Sequence, residues 1–103
     1  MLILGIDPGL ATVGFGLVEK QNYDFEAVDY GIISTPKDDI FPERLLSIYN
    51  AVNALIDKFK PDAIAIEELF FMKNITTGIP VSHARGVTLL ACYQKMKNIY
   101  EYT

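Results

Sequence analysis

Residues 2–19 read LILGIDPGLATVGFGLVE, and the first two strands of a sheet are legible in them. Positions 2–7 are a short apolar run without helical spacing, closed by Pro8-Gly9, as a buried strand would be. From 13 to 19, Gly14 and Gly16 alternate with apolar residues, which predicts a second strand approached closely by other backbone. Gln21-Asn22 marks a turn, and residues 25–35 continue as a third strand. Short links between the three predict an antiparallel meander.

Beyond the meander the period changes. Residues 36–41 are a polar loop with Asp38 and Asp39, and Pro42 suits the first turn of a helix. Leu45, Ile48, Val52, Leu55, Ile56 and Phe59 recur at spacings of three and four, the stripe of an amphipathic helix of about 17 residues. Lys58 and Lys60 lie near its end, where the helix dipole favours cations, and Pro61-Asp62 stops it. Residues 63–66, AIAI, are apolar on both faces, as a central parallel strand is, and they lead into Glu67-Glu68. A loop with aromatics and a lysine spans 69–78, a second helix is predicted over about 77–97, and a fifth strand over 99–102. The run VTLLACY makes that second helix apolar nearly all round, which predicts cover on two sides, by the sheet and by a further surface such as a partner subunit.

The order βββαβαβ resembles the ribonuclease H-like arrangement. It predicts an α/β fold over residues 1–103 as one domain, with a mixed five-stranded sheet: three antiparallel strands, then parallel strands joined by crossover helices. Right-handed crossovers place the fourth strand beside the first.

Bulk composition narrows the setting. Half of the 103 residues are apolar, enough for one core. No run reaches the ~20 apolar residues that span a bilayer. The N-terminus enters a strand with no basic leader, and the single Cys92, flanked by Leu90, Ala91 and Tyr93, reads as a small buried hydrophobe. Both features predict a cytoplasmic protein without a membrane role. Nine Lys and Arg against thirteen Asp and Glu leave a net charge of −4, which supplies no general basic stripe for nucleic acid. A basic face must be local or lie outside these residues.

If strands one and four are parallel neighbours, Asp7 and Glu67 meet at their carboxyl ends, the edge where open α/β sheets bind ligands. Two carboxylates in one crevice repel each other unless a cation lies between them, and hard oxygen donors suit Mg²⁺ or Mn²⁺. Pro8-Gly9 turns the chain sharply and leaves backbone open to a phosphate. Each residue also has a plainer reading, Asp7 as a turn residue before Pro-Gly and Glu67 as a solvated strand end.

The blocks LILGIDPGLATVGFGLVE, PERLLSIYNAVNALIDKFKPDAIAIEELFFMKN and HARGVTLLA resemble the successive signatures of the RuvC family of Holliday-junction resolvases, over essentially the whole chain. The resemblance implies a Mg²⁺-dependent endonuclease, Mn²⁺ also serving and up to two ions bound, that nicks two strands of a four-way DNA junction in recombination and repair. It implies a homodimer, here assigned to the second helix at about 77–97, and work alongside the RuvA-RuvB branch-migration complex. The family's first catalytic aspartate falls on Asp7 and its second catalytic carboxylate on Glu67, both as metal ligands. Its DNA-probing phenylalanine falls on Phe70, an aromatic able to stack on unpaired bases, with Phe71 and Met72 as alternative loop anchors. Lys73 and Asn74 suit phosphate contact or plain solvation. Arg85 reads either as a DNA-backbone contact or as half of a structural ion pair, and His83 as an ordinary surface or core histidine.

The family continues further, with a last helix that brings two more acidic residues to the metal. The chain therefore reads as the N-terminal part of a longer enzyme, and two ligands alone predict little or no cleavage by these 103 residues. Three alternatives stay open: another ribonuclease H-like nuclease acting on RNA, an actin-like ATPase half beginning with a similar strand, and a non-catalytic dimerisation module. The aromatic loop FFMKN argues against the first, and the lack of a second phosphate loop against the second.

Overall fold

Alternation along the first strand sets the architecture. In β1 (Leu2–Asp7), Leu4 and Ile6 are fully buried, whereas Ile3, Gly5 and Asp7 point to the opposite face. The computed structural model describes residues 1–9, 11–67 and 75–102, without the side chains of 75–77 and 102. The remaining elements are β2 (Thr12–Gln21), β3 (Asp24–Ser34), α1 (Phe41–Phe59), β4 (Ala63–Glu67), α2 (Ile75–Lys95) and β5 (Ile99–Tyr102).

The strands form one sheet in the order β3-β2-β1-β4-β5. β1, β2 and β3 make the expected antiparallel meander, while β4 and β5 join parallel to β1. Ile6 pairs with Ile66, so the first and fourth strands are neighbours and end together. This is the ribonuclease H-like arrangement predicted from the element order.

Both helices cover the same face. Ile48, Val52 and Ile56 of α1, one helical repeat apart, pack with Ala84, Ala91 and Cys92 of α2 against Leu4, Ile6, Leu17, Ile64 and Ile66. Each such buried aliphatic side chain contributes about 1.5–3 kcal/mol, so this layer carries the fold. Burial also pushes the Cys92 thiol up to about 12, which keeps it protonated and unreactive.

Local details depart modestly from expectation. Pro42 does sit in the first turn of α1, but the helix ends through Lys60, whose left-handed backbone (φ 47°) lets its N–H donate to the Ile56 carbonyl. Asp62 does more than turn the chain: its carboxylate accepts from Leu2 N–H at 2.8 Å, and its own N–H donates to the Leu2 carbonyl at 2.7 Å, stapling β1 to the start of β4. α2 runs over Ile75–Lys95, two residues nearer the N-terminus than predicted. Its Pro80 lacks an N–H for the helical ladder, a breaker that obscures the helix start in the sequence. Within the chain the sheet covers one side of α2, and on the other Ile79, Leu90 and Tyr93 are more than half exposed.

Candidate functional site

Register and parity together build the site. One step past the Ile6–Ile66 pair, Asp7 and Glu67 close their strands side by side on the face turned away from both helices. Hydrogen bonding with the neighbouring Asp7 carboxyl, then repulsion from its charge and some burial, raise the Glu67 pKa above the ordinary carboxylate value. Two carboxyl groups that disfavour each other's charge mark a place where a positive charge is favoured. An all-oxygen donor pair of this kind fits a hard divalent cation.

The floor beside the pair is bare backbone. Gly14 stands across from Asp7, and Gly5 across from Gly16, with Ile3 and Val18 at the far end of the shallow groove they form. A Cβ on Gly14 would come within 3.8 Å of the Asp7 Cβ, so larger side chains there would crowd the carboxylate. Gly9 is required for a different reason, since a Cβ would collide with the Thr12 carbonyl oxygen. The Pro8-Gly9 corner that follows Asp7 is therefore sterically tight against Thr12.

The other predicted residues divide. Phe70, Lys73 and Asn74, together with Phe71 and Met72, lie outside the described residues. Arg85 is found in the ion-pair alternative: its side chain is 16% exposed, and a guanidinium nitrogen lies 3.2 Å from the Glu101 carboxylate. Its Nε also donates to the backbone carbonyl of Glu67, a long bond at 3.4 Å. His83 is exposed and meets the Phe41 ring edge-on. Among the described residues, no cluster of three metal-ligating side chains occurs, so the Asp7–Glu67 pair stands without a third ligand there.

Sequence reading missed Glu101. It pairs with Ile66 in the parallel β4–β5 ladder and therefore points, like Ile66, to the helix side, where α2 presents Arg85. The acidic residue inside the strand IYEY was the available signal. A second feature lies on α2 itself, where Gly78, Ile79, Ser82, His83, Gly86, Val87 and Leu90 line an open apolar groove of about 700 Å³.

Comparison with known proteins agrees with this geometry. The family profile described as "Crossover junction endodeoxyribonuclease RuvC" matches residues 3–103. Curated relatives with that description from Alkaliphilus metalliredigens and Clostridioides difficile are 52% and 47% identical over 103 residues. They are covered to 63% and 61% of their length, so the chain spans less than two thirds of these relatives. Among solved structures, Thermus thermophilus RuvC in complex with a Holliday junction substrate superposes with a TM-score of 0.86 at 27% identity, covering 99% of this chain and 64% of that one.

Proposed function

Because the chain belongs to the RuvC family of crossover junction endodeoxyribonucleases, we propose that residues 1–103 form the larger part of a nuclease domain that resolves four-way DNA junctions. The observation that carries this reading is the meeting of the Asp7 and Glu67 carboxyls at the adjoining carboxyl ends of β1 and β4. Asp7 and Glu67 would hold Mg²⁺ or Mn²⁺, up to two ions in the whole enzyme. When bound, the metal supplies charge neutralisation at the scissile phosphate and activation of water. The carboxylates must be deprotonated to bind it, so a proton on Glu67 competes with the cation. The groove floored by Gly5, Gly14 and Gly16 leaves room for a sugar-phosphate strand beside the pair.

The substrate is four-way junction DNA, with Phe70 stacking on bases at the crossover and Lys73 and Asn74 contacting phosphate. The apolar groove on α2 supports a homodimer, which a junction needs if two strands are to be cut in symmetric positions. Action beside RuvA-RuvB in the cytoplasm completes the reading. Among the described residues no helix is long and apolar enough to cross a membrane. With two carboxylates only, the 103-residue chain by itself is expected to cut weakly or not at all.

The test is junction cleavage in Mg²⁺ by the full-length enzyme containing this chain, by its Asp7→Asn variant and by residues 1–103 alone. Expected is paired nicking by the first only, with linear duplex and RNA left intact. Equal cleavage by the Asp7→Asn enzyme, or a preference for RNA, would contradict the proposal.

A further inference from the structure

The geometry points to Arg85 as a positioning residue for Glu67: it acts from the helix side of the sheet and does not contact DNA. This inference rests on the reading of Glu67 as a metal ligand.

Arg85 reaches from α2 toward the carboxyl edge of the sheet and touches two strands at once. Its Nε donates to the carbonyl of Glu67, the last residue of β4, and its terminal nitrogen meets Glu101 of β5 at 3.2 Å. Contacts at two different nitrogens of a rigid planar fork fix the whole group's orientation, which a flexible ammonium could not do. At 16% exposure, this guanidinium is turned toward a carboxylate and a backbone carbonyl of the sheet.

The consequence falls on Glu67. Its side chain projects to the open face, while its carbonyl is held from the opposite one. β4 is only five residues long, and its register with β1 runs no further than Ile6–Ile66. The β1 ladder therefore stops one residue short of the carboxylate that matters. The β5 ladder does reach it, through Glu67–Tyr102, and Arg85 with Glu101 adds the tie from this strand end to α2. Groups that orient a metal ligand typically matter ~10–100-fold in metal affinity or activity.

The test uses the full-length enzyme and Mn²⁺ as probe, with affinity measured by calorimetry without DNA, junction Kd measured in EDTA, and kcat and KM in Mn²⁺. Arg85→Ala is expected to weaken Mn²⁺ roughly tenfold or more and to lower kcat, with junction Kd and KM within about twofold. Glu101→Gln should shift Mn²⁺ affinity the same way, because it frees the guanidinium. Arg85→Lys keeps the charge opposite Glu101 but gives up the two-point hold, so it should recover thermal stability without recovering Mn²⁺ affinity. Should Arg85→Ala fail to fold, Arg85→Lys and Glu101→Gln carry the test alone.

A raised junction Kd with Mn²⁺ affinity intact would make Arg85 a DNA contact and overturn the inference. So would variants that lose thermal stability while the folded protein binds Mn²⁺ normally. Asp7→Asn separates the two claims. If it abolishes Mn²⁺ binding while the Arg85 and Glu101 variants do not, only the positioning role falls. If Asp7→Asn binds Mn²⁺ like the parent, the metal-site reading falls and this inference falls with it.

Discussion

The two faces of the central strands are built from alternate residues and do opposite work. On the helix side, Leu4, Ile6, Ile64 and Ile66 are fully buried. On the open side, the same strands present Gly5, Asp7, Ala65 and Glu67, small or charged and at least partly exposed. Stability and chemistry thus share one stretch of backbone, separated only by the period of two. The arrangement lets a repelling carboxyl pair be held at fixed spacing by a core that neither carboxylate enters. It also predicts that neighbouring substitutions fail in different ways.

The largest expected effects come from the adjacent residues Ile66 and Glu67. Ile66→Ala should cost about 2–5 kcal/mol of stability, read as a denaturant midpoint shift, while the folded fraction still binds Mn²⁺. Glu67→Gln should leave stability unchanged or slightly raised, yet reduce junction cleavage at least ~100-fold, since a ligand should matter no less than its outer-shell partners. Loss of Mn²⁺ binding in folded Ile66→Ala would break the separation of the faces.

Gly9→Ala sharpens the comparison at the corner where the faces meet. Its Cβ would press on the Thr12 carbonyl, so a loss of about 1–3 kcal/mol is expected, with cleavage reduced because Asp7 is displaced. A variant as stable and active as the parent would show that the corner is not sterically set.

A smaller effect should appear in the pH dependence of the metal-free protein. Glu67 binds its proton more tightly folded than unfolded, so this pair's contribution is fully present below the unfolded carboxylate pKa and is lost as pH rises through the raised folded value. Thermal melts in EDTA should show stability declining across that window. Asp7→Asn should flatten the decline, because the repulsion from Asp7 goes with it. An unchanged slope in Asp7→Asn would place the titration elsewhere.

Much of this was legible in the sequence for one reason: strand alternation and stop signals are local. LILGID closed by Pro-Gly, and AIAI closed by Glu67, announce both the strands and the carboxylates at their ends. The handedness of crossovers then makes them neighbours. The Arg85–Glu101 pair was not legible as a pair, because it depends on the β4–β5 register and on how α2 is rotated over the sheet. The exposure of β3 was not legible either: it is the edge strand, and Tyr30 and Ile32 pair with Gly16 and Gly14 on the face that no helix covers.

The position of Mn²⁺ in a crystal of the full-length protein, located by its anomalous scattering, decides whether Asp7 and Glu67 hold the metal. Expected is an ion bound by oxygens of both Asp7 and Glu67 at about 2.0–2.2 Å. An ion bound elsewhere, with neither Asp7 nor Glu67 among its ligands, would rule this site out.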